Sequence, residues 1–220
     1  MEPSLLSLEV KRTAHLYQLG EASVHTQFVW LVLHGYGQHP AFWVRKFALL
    51  VDENTMVMAP EGLSRFYLEG NTGRVGASWM TKDNRQHEIE DYLTYLEQVV
   101  AKIRLETPQS RIILLGFSQG GATATRFALK HPDKIAALVM WSAIFPPDLT
   151  AELPVASMPV CLAYGDADPF LSGEQWEGTL QRYRTMHAGL HYLAFSGGHE
   201  IPAEALAKLK TEVLASLLAI

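Results

Sequence analysis

The chain has 220 residues, of which 48% are hydrophobic and 19% charged, and its formal net charge is −5. This composition supplies enough apolar material for one buried core, is unlike that of disordered or fibrous proteins, and predicts a single domain over residues 1–220. The lysines and arginines are scattered rather than clustered, which argues against a nucleic-acid partner.

The first third of the chain predicts two buried strands. A partly alternating segment, residues 7–18, precedes a continuous apolar run at 28–33 that is typical of a fully buried strand. The glycine-containing stretch HGYG, residues 34–37, ends this run. A short helix is then predicted over 42–50 and a strand over 55–59.

Residues 61–80 are rich in glycine and in large apolar side chains. They contain four glycines together with Phe66, Tyr67, Leu68 and Trp79. This composition predicts a loop of unusual length, and long ordered loops usually have a function.

The rest of the chain alternates helices and strands. Asp83 or Asn84 can cap a helix that apolar residues at helical spacing extend to about Leu105. Further strands are predicted at 111–115, 135–141, 160–164 and 190–195, and further helices at 120–130, 173–187 and 202–218. Continuous apolar strands that alternate with amphipathic helices predict a mostly parallel sheet covered on both faces, a three-layer α/β fold.

Cysteine usage and the chain start indicate a compartment. The single cysteine, Cys161, allows no intrachain disulfide and fits a reducing environment. The first ten residues lack the basic start, apolar core and cleavage site of a secretory signal. The most apolar stretch, residues 135–145, is shorter than the roughly 20 residues that cross a bilayer. We therefore expect a cytoplasmic protein with no stable membrane insertion.

The stretch GFSQGG, residues 116–121, lies between a predicted strand and a predicted helix. A nucleophile elbow requires this placement, and glycines at 116 and 120 leave room for its tight turn and strained serine. Ser118 is therefore the predicted nucleophile, with a small polar residue at a strand–helix junction as the alternative. Two phosphate-binding motifs do not fit this stretch. A dinucleotide-binding fingerprint needs glycine at position 118, and a Walker loop needs a lysine before Ser or Thr.

A serine nucleophile needs a histidine base that a carboxylate orients. Asp168 follows the predicted strand at 160–164, and His199 follows the one at 190–195, in the chain order of the α/β-hydrolase fold. Asp166 is the alternative acid, although it could instead bind loop amides. His199 is preferred as the base because it lies in a glycine-containing loop after a strand. The competing histidines lie before the first buried strand, near helix ends or within a strand: His15, His25, His87, His131, His187 and His191.

The oxyanion of such a reaction needs backbone N–H donors. The amide of Gln119 is one predicted donor, because it directly follows the serine. The second is the amide of Tyr36, which the glycines of residues 34–37 could turn toward the site. An ordinary glycine turn is the alternative for that loop.

Four stretches together resemble the phospholipase/carboxylesterase family, which includes acyl-protein thioesterases: LHGYG at 33–37, GFSQGG at 116–121, GDADP at 165–169 and GGH at 197–199. The resemblance covers roughly residues 28–218. It implies a compact α/β hydrolase with Ser118, Asp168 and His199 as the triad and the Tyr36 and Gln119 amides as the oxyanion hole. It also implies little or no cap domain, and residues 142–159 are too few for a helical cap. Phe66 and Trp79 are candidates for a substrate pocket, with core packing as the alternative.

These observations predict a serine hydrolase that cleaves small-molecule carboxylic esters or thioesters through an acyl-enzyme, with no metal or organic cofactor. Two alternatives stay open. One is a peptidase or other acyl hydrolase of the same fold, and the other is a small-molecule binder that keeps the triad without turnover. The sequence leaves the oligomeric state open.

Overall fold

The computed structural model describes residues 3–149, 158–186 and 190–218. The strands are β1 (Leu16–Leu19), β2 (Phe28–Leu33), β3 (Thr55–Pro60), β4 (Ser64–Glu69), β5 (Thr72–Ser78), β6 (Arg111–Phe117), β7 (Ala137–Trp141), β8 (Val160–Gly165) and β9 (Leu190–Phe195). The helices are α1 (Pro40–Trp43), which continues as a 3₁₀ helix (Val44–Leu50), α2 (Arg85–Glu106), α3 (Gln119–Lys130), α4 (Gly173–Met186) and α5 (Ala203–Leu218).

Seven strands form one sheet in the order β1-β3-β2-β6-β7-β8-β9. The edge strand β1 is antiparallel to β3, and the other neighbouring strands are parallel. The predicted mostly parallel sheet is confirmed. Its carboxyl ends meet at one edge, where ligands and catalytic groups collect in open α/β sheets.

Helices cover both faces of the sheet, which explains the continuous apolar strands. In β2, Val29 and Leu31 pack into a core shared with α2, α3 and α4, whereas Trp30 and Val32 pack into a second core shared with α5 and the α1 region. Successive side chains of a strand point to opposite faces, so every position of β2 must be apolar. The predicted three-layer architecture follows from this double burial.

The prediction of a long loop over residues 61–80 is wrong. Strands β4 and β5 form an antiparallel hairpin there, with Tyr67 paired to Val75. Gly70 takes the positive φ of +61° that its tight turn requires. Gly76 lies within β5, and this position requires glycine because a Cβ there would overlap the backbone of Gly37. The glycines therefore serve a turn and a close backbone approach rather than a loop.

Some predicted boundaries also change. The alternating segment 7–18 forms a strand only from Leu16, because β1 pairs only with the four residues of β3 from Val57 to Pro60. Asn84 precedes α2 with φ of +47°, and neither it nor Asp83 caps the helix with its side chain. His187, the predicted last residue of the helix at 173–187, lies outside the described residues.

The connection between β7 and β8 contains no helix in its described parts, residues 142–149 and 158–159. This agrees with the expectation of little or no cap. Within the part of the chain that the structure describes, no helix combines the length and apolar character needed to cross a membrane.

Candidate active site

The three predicted catalytic side chains lie after three strands of the parallel sheet. Ser118 directly follows β6, Asp168 lies in the loop after β8, and His199 lies in the loop after β9. Because these strands are parallel, the fold brings all three loops to the same edge of the sheet.

Ser118 has the backbone conformation of a strained turn, with φ of +54° and ψ of −120°. Such a conformation costs of the order of 1–3 kcal/mol for a residue with a side chain. Two bonds hold it: the Ser118 N–H donates to the Trp141 carbonyl at 2.9 Å, and the Gly121 N–H donates to the Ser118 carbonyl at 2.9 Å. The turn therefore presents the serine at the start of α3.

The glycines on either side of Ser118 are needed for steric reasons. A Cβ on Gly116 would overlap the carbonyl of Gly120, and a Cβ on Gly120 would overlap the carbonyls of Leu33 and His34. The second overlap shows how closely the end of β2 approaches the turn. The glycine pattern thus allows both the turn and its contact with residues 34–37.

Asp168 and His199 form a directed hydrogen bond. The His199 Nδ1–H donates to Asp168 Oδ2 at 2.8 Å, and the Phe170 N–H donates to Asp168 Oδ1 at 2.9 Å. The carboxylate is 1% exposed, so both of its oxygens need these donors. This arrangement assigns the Nδ1–H tautomer to neutral His199 and leaves Nε2 as a proton acceptor.

The imidazole of His199 contacts two phenyl rings. Its centroid is 4.7 Å from that of Phe117 and 4.8 Å from that of Phe170. Contact with Phe117, the neighbour of Ser118, places the base close to the predicted nucleophile. Ser118 and His199 are not joined by a hydrogen bond in this structure, and such bonds often tighten only when substrate binds.

Asp166, the alternative acid, has a different neighbourhood. Its Oδ1 accepts the Gly197 N–H at 3.1 Å, and its own N–H donates to the Phe195 carbonyl at 3.0 Å. The side chain therefore supports the loop that carries His199, and it is Asp168 that contacts the imidazole.

Both predicted oxyanion donors lie beside Ser118. A Cβ on Gly35 would be 3.3 Å from the Ser118 Cβ, so the loop containing Tyr36 lies against the serine. The Tyr36 N–H donates to no acceptor among the described residues. Gln119 is the first residue of α3, and a first-turn N–H has no acceptor within its own helix. Two N–H groups are thus available to an anionic oxygen.

His34 supports this loop in a way that the sequence did not indicate. Its Nε2 accepts the Gly62 N–H at 3.0 Å, so its Nδ1 carries the proton and donates to the Gly35 carbonyl at 2.8 Å. Burial lowers the pKa of the His34 imidazole to about 4. The ring is therefore a neutral structural bridge between residues 35 and 62.

Residues 77–80 connect the two predicted oxyanion donors. The Gly37 N–H donates to the Ala77 carbonyl at 2.9 Å, on the Tyr36 side. On the other side, Gln119 Oε1 accepts the Trp79 N–H at 3.0 Å, and Gln119 Nε2 donates to the Met80 carbonyl at 2.7 Å. Sequence reasoning missed this use of the Gln119 side chain, because its partners lie about 40 residues away.

The two predicted pocket residues differ in exposure. Phe66 is half-buried on the hairpin, and its ring packs on that of Tyr36 with centroids 5.1 Å apart. Trp79 is only 2% exposed, and its indole N–H donates to the His34 carbonyl at 2.8 Å. The structure therefore corrects the placement of Trp79, whose side chain lies in the core beneath the site rather than on a pocket wall.

Comparison with known proteins identifies a family match and partial relatives. The family model described as Phospholipase/Carboxylesterase matches residues 19–216. NocK from Nocardia uniformis subsp. tsuyamanensis, which carries the name of an esterase, is 30% identical over 142 residues, 63% of this chain and 39% of NocK. A fluoroacetate dehalogenase from a Burkholderia species is 27% identical over 146 residues, 66% of this chain and 40% of the dehalogenase. The chain thus matches about two-fifths of the length of these curated relatives.

Solved structures share the fold over nearly the whole chain. Zea mays acyl-protein thioesterase 2 superposes with a TM-score of 0.71 at 17% identity, over 93% of this chain and 100% of that chain. The Bacillus cereus carboxylesterase superposes with a TM-score of 0.71 at 16% identity, over 92% of this chain and 94% of that chain. Both similarities show an α/β-hydrolase fold.

Proposed function

The chain belongs to the phospholipase/carboxylesterase family, and from this premise we propose that it is a serine hydrolase that cleaves carboxylic esters or thioesters. The main support is the 2.8 Å hydrogen bond that joins His199 to Asp168 next to a serine in a strained turn. In this proposal Ser118 is the nucleophile, His199 the general base and acid, and Asp168 the group that orients the imidazole.

His199 acts first as the general base. Because its Nδ1–H donates to Asp168, its Nε2 accepts the proton of Ser118 Oγ. The serine oxygen bonds to the acyl carbon, and the electron pair of the carbonyl double bond moves to the carbonyl oxygen. The N–H groups of Tyr36 and Gln119 donate to that oxyanion, and the loss of one such donor typically costs about 2.7–4 kcal/mol of transition-state stabilisation.

His199 then acts as the general acid. The tetrahedral intermediate re-forms its carbonyl, the bond to the leaving oxygen or sulfur breaks, and protonated His199 donates its Nε2 proton to the departing atom. Water enters, loses a proton to His199 Nε2 and attacks the acyl carbon of the acyl-enzyme. Collapse of the second intermediate releases the acid and returns the proton to Ser118.

The acyl group of the substrate has an apolar surface beside the proposed oxyanion site. The rings of Tyr36 and Phe66 pack together there, and Tyr36 is 62% exposed. Because the Tyr36 amide is itself a proposed oxyanion donor, the carbonyl that it binds lies next to this ring pair. We propose that these rings contact the acyl group of a small ester or thioester.

Substitution of the predicted nucleophile tests this function directly. We expect Ser118→Ala to lower kcat for p-nitrophenyl butyrate by more than about 10⁴-fold and to abolish covalent labelling by a fluorophosphonate, because both need the serine oxygen. Ser142→Ala is the matched control, since Ser142 also follows a strand with positive φ but is buried. Labelling and turnover that persist in Ser118→Ala would contradict the proposal.

A second pair of variants tests the acid. We expect Asp168→Asn to lower kcat by about 10⁴-fold, as loss of the orienting carboxylate leaves the wrong tautomer. Asp166→Asn, which alters only loop support, should lower it less than about tenfold. Equal losses of kcat in the two variants would contradict the role of Asp168 in orienting His199. Ligand binding without covalent labelling would instead favour a non-catalytic binder.

A further inference from the structure

An exposed phenyl ring lies beside the proposed general acid. The Phe170 side chain is 70% exposed, and its ring packs edge-on to His199 with centroids 4.8 Å apart. The other ring beside the imidazole, Phe117, is buried in the core. Phe170 is thus the one of these two rings that a ligand can reach.

The proposed mechanism determines which part of a substrate reaches this ring. His199 must protonate the departing oxygen, so that oxygen lies about 2.6–3.2 Å from Nε2 at that step. The leaving group attached to the oxygen therefore lies next to the imidazole and within reach of Phe170. The acyl group lies on the other side of the carbonyl carbon, toward Tyr36 and Phe66.

The charges around His199 limit the chemistry of the leaving group. Asp166 and Glu200 are both exposed on the loops that flank the imidazole. Among the residues that the structure describes, neither carboxylate forms an ion pair. Like charges in proximity repel, so this rim disfavours an anionic leaving group.

We propose that Phe170 forms the leaving-group subsite and that the subsite favours esters of uncharged aromatic alcohols. The inference rests on the proposed function, because it uses His199 as the acid that protonates the leaving group. An aromatic ring of the substrate would pack against Phe170 and remove exposed apolar surface from water. The protein would thus select the alcohol part of an ester through Phe170 and the acyl part through Tyr36 and Phe66.

The main alternative is that Phe170 only shields the Asp168–His199 pair from water. A shield would affect every ester alike, because the pair acts in the turnover of each. A subsite would affect esters according to their alcohol. The two explanations therefore differ in a ratio of rates rather than in the rates themselves.

The test compares benzyl butyrate with ethyl butyrate, which share an acyl group and both release a primary alcohol, with and without an aromatic ring. For wild type and each variant, kcat/KM is measured for both esters and expressed as the benzyl-to-ethyl ratio. We expect Phe170→Ala to lower this ratio by about tenfold, because the aromatic contact is lost. Phe170→Leu, which keeps apolar bulk without a ring, should give an intermediate ratio. Tyr192→Ala removes a similarly exposed ring from β9, outside the site, and should leave the ratio unchanged.

A charged substrate tests the acidic rim. We expect 4-carboxybenzyl butyrate to react more slowly than benzyl butyrate in wild type, and Glu200→Gln to reduce the difference. A Phe170→Ala variant that slows benzyl and ethyl esters by the same factor would overturn the subsite and support the shield. If wild type shows no Ser118-dependent turnover of any ester, the proposed function fails instead. The two failures are therefore distinguishable.

Discussion

The Gln119 side chain offers a strong test of how the two proposed oxyanion donors are positioned. Gln119→Met keeps the length of the side chain and removes its amide. The Trp79 N–H then loses an acceptor at 3.0 Å, and the Met80 carbonyl loses a donor at 2.7 Å. The backbone N–H of residue 119 is retained, but its connection to residues 77–80 is lost.

The magnitude of the effect follows from these contacts. The Gln119 amide also contacts Ser78 Oγ at 3.2 and 3.3 Å, but the Ser78 hydroxyl keeps its bond to the Met80 carbonyl, so the bonds to Trp79 and Met80 dominate the loss. Each intramolecular hydrogen bond contributes about 0.5–1.5 kcal/mol, so the loss of these two should lower the free energy of unfolding by about 2 kcal/mol. Complete loss of one oxyanion donor lowers kcat by about 10²–10³-fold, whereas here a donor is only displaced. We therefore expect kcat to fall by about 10- to 100-fold, with KM changed by less than about threefold, because the donors act on charge that develops in the transition state.

The assay measures kcat and KM for p-nitrophenyl butyrate together with Tm. Gln119→Glu should fall between wild type and Gln119→Met, because an ionised carboxylate accepts from Trp79 but cannot donate to Met80. Gln18→Met is the matched control, since the Gln18 side chain donates to the Gly20 carbonyl just after β1 and has no other hydrogen-bond partner among the described residues. A lowered Tm with unchanged kcat would show that Gln119 merely holds the hairpin, and this result would refute the reasoning.

Two further predictions concern stability. The pKa of His34 is lowered by burial to about 4 in the folded chain, against 6.5 in the unfolded chain, so the unfolded state binds the extra proton between these pH values. The free energy of unfolding should therefore decrease by about 3 kcal/mol through His34 as the pH falls from 7 to 4, and His34→Gln should flatten this dependence in denaturant titrations. If the free energy of unfolding fell with pH in parallel for wild type and His34→Gln, the dependence could not be assigned to His34. Ser142 has a buried Oγ with no hydrogen-bond partner among the described residues, so Ser142→Ala should raise Tm by a few degrees, and a lowered Tm would show that the hydroxyl has a partner.

Local sequence patterns predict much of the fold of this protein. The apolar run of β2 requires burial on both faces, and GFSQGG places glycines where any Cβ would overlap backbone. Asp168 and His199 follow from the rule that chemistry collects at the carboxyl ends of parallel strands. The single-domain organisation over residues 1–220, the cytoplasmic location and the catalytic roles stay predictions.

The errors have a common physical cause. Residues 61–80 have the composition of a loop, but Gly76 is a strand residue. It is glycine because the backbone of Gly37 passes close to it. Trp79 has the character of a pocket residue, but its indole binds the His34 carbonyl within the core. In each case the deciding neighbour is about 40 residues away, beyond the reach of any local pattern.

The sequence by itself therefore determined the order of strands and helices outside residues 61–80, the position of the strained serine turn and the candidate side chains at strand ends, because each depends on the sterics and periodicity of adjacent residues. Only the tertiary structure decided which carboxylate contacts His199, how Gln119 joins the hairpin to the start of α3, and that Phe170 is left exposed beside the imidazole. These features depend on distances between loops that the sheet brings together, and chain order does not specify such distances.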